Sequence, residues 1–166
     1  VFDGGSGRPE EIIKQADIAM YQAKAAGRNA LALYDHLSMS PESERYRLLN
    51  DFRQALATDA LELYYQPQMD DEGRIVGAEA LCRWHHPDHG TLLPERFVPL
   101  TEQFGLVREF GEVVLSKGVA ELARWQTSET TAGLRLAINV NVQSFTSPDF
   151  VSSLASLIET HGADPH

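Results

Sequence analysis

Gly77-Ala78-Glu79-Ala80-Leu81-Cys82-Arg83-Trp84 is the stretch on which the reading of this chain turns. It overlaps the end of an apolar run, Ile75 to Ala80, that predicts a strand over about 74–84. Glu79 sets a carboxylate among residues that favour burial, which is costly unless something pairs with it. Four residues on, Arg83 supplies a planar cation, and Gly73 and His86-Pro87 punctuate the two sides. A strand of this kind delivers an acid and a cation to the end of a sheet. Open and barrelled α/β proteins build their sites there.

Working outward, the neighbouring segments supply strands and helices for such a sheet. Residues 61–69 alternate Leu61, Leu63 and Tyr65 against Glu62, Tyr64 and Gln66, a half-buried strand that Pro67 is expected to end. Asp70-Asp71-Glu72-Gly73 reads as a solvated hairpin turn, with too few regularly spaced acids for a calcium loop. After the central strand comes a loop, His85-His86-Pro87-Asp88-His89-Gly90. Its three histidines invite a zinc reading, which Pro87, Gly90 and the lack of a supporting cysteine or HExxH pair weigh against. Pro94 opens a short helix closed by Gly105, and a longer helix over about 107–125 carries an apolar face from Phe110 to Trp125. Leu134 to Asn141 reads as a strand, and Ser147-Pro148 starts a last amphipathic helix through Phe150, Leu154 and Ile158. The expected order is strand, strand, helix, helix, strand, helix.

Toward the other end, Pro9-Glu10-Glu11 opens a helix with Ile12, Ile13, Ala16, Ala19, Met20 and Ala23 at helical spacing, ended by Gly27. Residues 36–60 form a junction. There Ser40-Pro41 starts a helix whose stripe, Tyr46, Leu49, Phe52, Ala55 and Leu56, suits packing on a neighbouring domain or on another copy.

Composition bounds what the chain can do. Its 166 residues, 43% hydrophobic and 23% charged, are ordinary for a globular protein and suffice for one domain or parts of two. A net charge of −10 disfavours non-specific binding to a nucleic acid polymer or an anionic membrane. A local cation or metal can still hold an anionic nucleotide. The single cysteine, Cys82, excludes an internal disulfide, reads as a small buried apolar side chain, and suits a reducing, cytoplasmic setting. No apolar run reaches the ~18 residues of a membrane span. Val1-Phe2-Asp3-Gly4-Gly5 is neither a signal peptide nor a natural start, so the chain is expected to be cut from a longer one.

Glu79 and Asn139, both at strand ends, offer oxygen ligands of the kind hard divalent ions take. By itself, a buried asparagine at a strand end is more often a hydrogen-bonded turn residue than a ligand.

Four motifs in order carry a resemblance. They are Tyr65-Gln66-Pro67; Gly77-x-Glu79-Ala80-Leu81-x-Arg83-Trp84-x-His86-Pro87; Gly90-x-Leu92-x-Pro94-x-x-Phe97; and Ile138-Asn139-Val140. Together they resemble the EAL-domain family, bacterial phosphodiesterases of cyclic di-guanylate (cyclic di-GMP). The resemblance covers residues 61–166 and implies the first part of a (β/α)8, TIM-like barrel. It implies that Glu79 and Asn139 bind Mg2+ or Mn2+ and are catalytic, that Arg83 contacts a substrate phosphate, and that Gln66, Leu81 and Pro94 line the nucleotide site. Asn141 stands where that family usually has serine. His86 falls within the motif but is not a metal ligand there. Ala16 to Asn29 similarly resembles the C-terminal end of a GGDEF domain, the diguanylate cyclase fold, over residues 1–35. In that family the residues matching Lys24 and Arg28 meet nucleotide phosphates, although here a cationic helix C-terminus complementing the helix dipole is the favoured explanation of both.

The expectation is a cytoplasmic GGDEF–EAL junction, with residues 36–60 as the linker helix. Its parent would hydrolyse cyclic di-GMP to linear pGpG, and these residues alone would be inactive. A barrel typically needs roughly 250 residues. Apolar side chains such as Leu61, Leu63, Ile75, Val76, Leu136 and Ile138 would then need cover from a second copy, giving a homo-oligomer, or from further chain. The alternatives are an inert EAL domain acting as a sensor or scaffold, and a cyclase with an inert EAL part.

Overall fold

The computed structural model describes residues 12, 13, 16, 17, 19, 20 and 41–165. The chain divides into two compact units, Val1–Phe52 and Arg53–His166. In the first, the described residues among 12–20 are helical, as the spacing predicts; Ile12 and Ala19 are half-buried, while Ile13 and Met20 are exposed. Lys24 and Arg28 lie outside the described residues, as does the turn expected at Gly27. Helix α1, Pro41–Leu56, spans the division between the units. Of its expected stripe, Leu49, Phe52 and Ala55 are buried, as is Leu48.

The second unit is a sheet with helices on one face. Strand β1 is Leu61–Met69, β2 is Ile75–His86, β3 is Gly90–Leu92 and β4 is Arg135–Ile138. Central β2 pairs antiparallel with β1 along one edge. Its other edge is shared, with β3 antiparallel at Trp84–His86 and β4 parallel at Gly77–Ala80. The turn between β1 and β2 is an Asp70 turn: its carboxylate accepts from the amides of Glu72 (3.0 Å) and Arg74 (2.9 Å) and from Arg74 Nε (2.8 Å). Gly73 there takes φ 77°, which a residue with a Cβ rarely adopts. These bonds, led by the Arg74 amide, hold the Asp70 carboxyl below its usual range.

Strand periodicity sorts β2 into two faces. Ala78, Ala80, Cys82, Trp84 and His86 are buried, while Glu79, Leu81, Arg83 and His85 alternate with them and are half-buried. Helices α2 (Pro94–Phe104) and α3 (Val107–Gln126) supply the cover. Trp84 meets Phe97 edge-on at 6.0 Å, Phe97 meets Phe110 at 5.7 Å, and Tyr65 meets Trp125 at 5.2 Å. Such edge-on pairs add to the burial of large rings. Two glycines let β4 close on this framework. A Cβ at Gly77 would strike the Arg135 carbonyl, and one at Gly118 of α3 would overlap Ile138 Cδ1. Two further helices complete the unit, α4 (Val142–Phe145) and α5 (Phe150–His161).

Several expectations need correcting. Pro67 does not end β1: it lies inside the strand, opposite Ala78. β1 takes no second strand partner among the described residues, and an edge tolerates a proline that donates nothing to the ladder. His85 and His86 are strand residues rather than loop, because the short β3 extends the ladder to them. β3 and α4 were not expected from the sequence. Leu61 and Leu63 do not meet water; they are 1% and 7% exposed, since their face of β1 lies under the helices. Ile75 and Val76 are exposed as expected, at 51% and 42%. No helix among the described residues is long and apolar enough to cross a membrane.

Candidate functional site

The half-covered face of β2 continues onto both neighbours. Across β1, Gln66 stands opposite Glu79, Tyr64 opposite Leu81 and Glu62 opposite Arg83. Across β4, Ala137 stands opposite Glu79, so Asn139, two residues on, points to the same side at the level of Leu81. One sheet face therefore collects Gln66, Glu79, Leu81, Arg83 and Asn139, although they come from two strands and the residue just past a third. Pro94, at the first turn of α2, follows Leu92, whose partner is Trp84, and the register does not bring it onto this face.

Glu79 and Asn139 are in contact. The Asn139 amide Nδ2 donates to Glu79 Oε1 at 2.6 Å, across 60 residues of sequence. The donor chemistry, a carboxylate and an amide carbonyl side by side, suits a hard divalent cation. Such an ion takes six or more oxygens, and among the described residues no group of three or more His, Cys, Asp or Glu is arranged to hold one. These two side chains thus fit as part of a metal site.

Arg83 lies farther along the same face. Its Nη1 donates to the Cys82 carbonyl at 3.1 Å, and its guanidinium carbon stands 5.8 Å from the centre of the Tyr64 ring. Tyr64 in turn meets His85 edge-on at 6.2 Å. His85 is held by Glu62 Oε2 at 2.6 Å and Thr91 Oγ1 at 3.1 Å. The sequence reading missed Tyr64, Glu62 and His85 as site neighbours. The alternation of β1 already placed Glu62 and Tyr64 on the Gln66 face; the overlooked fact was that β2 runs on to His85.

The other singled-out groups are structural. Cys82 is buried, and burial pushes its thiol up to about 11 even though Arg83 pulls it down. His86 is buried and meets Trp84 edge-on at 5.0 Å, and its Nδ1 accepts from the amides of Asp88 (3.1 Å) and His89 (3.3 Å). Asn141 caps α4, its Oδ1 accepting from the Gln143 amide at 2.8 Å, a task serine performs equally well. An open groove of about 1100 Å³ lies elsewhere, lined by Arg53, Leu56, Lys117, Ser153 and Leu157 among others. None of the candidate site residues borders it.

A helix-backed sheet with an acid, an amide and an arginine on its open face defines an α/β domain of a recognisable kind. The chain belongs to the EAL domain family, whose model matches residues 49–166. Its relatives include the bifunctional diguanylate cyclase/cyclic di-GMP phosphodiesterase MucR of Pseudomonas aeruginosa, 34% identical over 99% of this chain. The cyclic di-GMP phosphodiesterase NbdA of the same organism is 31% identical over 92% of it. Among solved structures, the PaMucR phosphodiesterase in complex with c-di-GMP superposes with a TM-score of 0.67 and 36% identity, over 72% of this chain and 48% of that one. The chain spans 24% and 20% of the length of the two curated relatives.

Proposed function

We propose that this chain is part of a cyclic di-GMP phosphodiesterase, a hydrolase of bacterial signalling that opens the cyclic dinucleotide to linear pGpG. The observation that carries the reading is the pairing of Glu79 with Asn139 on the sheet face that also holds Gln66, Leu81 and Arg83. Glu79 and Asn139 would hold Mg2+ or Mn2+ together with ligands from beyond these residues. The bound ion would polarise a phosphate and lower the pKa of a water. Arg83 would grip a phosphate with its planar donors. Gln66, Leu81 and Pro94 would line the nucleotide. In the reaction, water oxygen bonds to one phosphorus and one ester P–O bond breaks, opening the ring. The names of MucR and NbdA support this reading of the family.

The same proposal takes residues 1–35 as the C-terminal end of a GGDEF domain, 36–60 as a linker helix and 61–166 as the N-terminal part of the EAL domain, in a cytoplasmic protein. The near-complete alignment with a relative named as both cyclase and phosphodiesterase supports it. In that setting Lys24 and Arg28 would be the remnant phosphate contacts. We further take the working protein to be a homo-oligomer. Val142, Phe145 and Val151, exposed at 74%, 66% and 76%, give a second copy apolar surface to cover.

The test is chromatographic. A protein carrying this chain in a complete EAL domain should convert cyclic di-GMP to pGpG with Mg2+ or Mn2+ and lose that activity on chelation. The 166-residue chain by itself should not. Tight binding without turnover in the complete domain would favour the sensor reading. Turnover by the isolated chain, lost on Glu79→Ala, would refute the view that Glu79 and Asn139 need further ligands.

A further inference from the structure

We propose that Tyr64 is a positioning residue for Arg83, and that Glu62, His85 and Thr91 brace its ring. The inference rests on the reading of Arg83 as a phosphate contact. A phosphate-gripping arginine on an open sheet face faces a specific difficulty. Its long side chain has much rotamer freedom, and fixing it on binding costs affinity. The structure shows two restraints on that freedom. The Cys82 carbonyl accepts one of the five guanidinium N–H bonds at 3.1 Å, and the Tyr64 ring lies 5.8 Å below the charge, within cation–π reach. Neither restraint occupies the remaining donors, so a bidentate hold on phosphate is left intact.

The ring would serve poorly if it were itself loose. Tyr64 is 44% exposed, so packing alone does not fix it. Instead it leans edge-on against His85, 6.2 Å away. His85 is in turn pinned from both sides, by Glu62 at 2.6 Å on β1 and Thr91 at 3.1 Å on β3. Three strands thereby brace one ring. The ladder makes this arrangement specific: Tyr64 opposes Leu81 and Glu62 opposes Arg83, so the ring reaches Arg83 on the diagonal.

The experiment measures cyclic di-GMP affinity by titration calorimetry. It uses a protein carrying this chain in a complete EAL domain, with thermal unfolding recorded for every variant. Tyr64→Leu should weaken binding about 3- to 10-fold, the scale of a partly exposed cation–π contact. Tyr64→Phe, which keeps the ring, should stay within about twofold of wild type. Arg83→Ala should weaken binding more than either. In the Arg83→Ala background, Tyr64→Leu should have no further effect, because it acts through the arginine. If Arg83→Ala weakens binding while Tyr64→Leu does not, or if the two losses simply add, the positioning role is wrong and the site stands. Equal losses for the Phe and Leu variants would also overturn it. If Arg83→Ala leaves affinity unchanged, or wild type binds no cyclic di-GMP, the reading of the site fails and this inference with it.

Discussion

On one face of β2 stand Ala78, Ala80, Cys82, Trp84 and His86, all buried; on the other stand Glu79, Leu81, Arg83 and His85, all half-covered. The two sets interleave residue by residue, yet their chemistry diverges. Cys82 and Arg83 are sequence neighbours. Burial raises the Cys82 thiol to about 11, where it is inert at neutral pH, while Arg83 keeps donors available. The buried face supplies the rigidity that fixes strand spacing. The open face can then afford charges, because water and mutual pairing satisfy them. A slip of one residue in register would exchange the two sets, so the packing of one face determines the site on the other.

Substitutions on the buried face should therefore cost stability first. Trp84→Ala is expected to have the largest effect, about 3–5 kcal/mol, by removing a ring that is 1% exposed. Urea unfolding measures it, and a loss below about 1 kcal/mol would break the contrast between faces. Gly77→Ala, where β2 meets β4, comes next, at about 1–3 kcal/mol, because the added methyl strikes the Arg135 backbone carbonyl and pushes β4 outward. It also sharpens the comparison: displaced β4 should carry Asn139 away from Glu79, which a crystal structure of the variant would reveal.

A smaller effect is expected in pH dependence. The hydrogen bond from Arg124, aided by that from Trp125 Nε1 at 2.7 Å, holds the Glu121 carboxyl below its ordinary 4.5. A depressed folded-state pKa gives stability that is present above 4.5 and lost as pH falls through the lowered value. Glu121→Gln should remove that part of the acid sensitivity and leave stability at pH 7 slightly reduced. An unchanged acid-unfolding profile would show that the carboxylate contributes nothing there.

Much of this was legible in the sequence. The period-2 alternation of β1 and the run before Glu79 revealed both strands and both faces. Proline and glycine marked α2 at both ends, and Gly105 takes the left-handed cap at φ 70°. The motifs named the candidate site residues, and the sheet register brings Gln66, Glu79, Leu81 and Arg83 to one side, with Asn139 reaching Glu79 from just past β4. What stayed hidden depended on pairing between distant segments. Three residues, Gly90–Leu92, carry too little pattern to announce a strand, and only their pairing with Trp84–His86 makes one. For the same reason His85 read as loop, and the brace behind Tyr64 went unseen. Pro67 misled because its effect depends on whether a strand lies at an edge, which local sequence does not encode.

On the proposed reading, the open face of β2 carries the chemistry and the buried face carries the fold. That reading is tested most directly by Glu79→Ala in a protein holding the complete EAL domain, with turnover of cyclic di-GMP and urea unfolding measured on the same sample. Turnover should fall by more than about 100-fold, beyond what losing a supporting hydrogen bond to a metal ligand costs. The unfolding midpoint should stay at the wild-type value. Wild-type turnover in the folded variant, or a loss of activity that merely tracks unfolding, would contradict that reading.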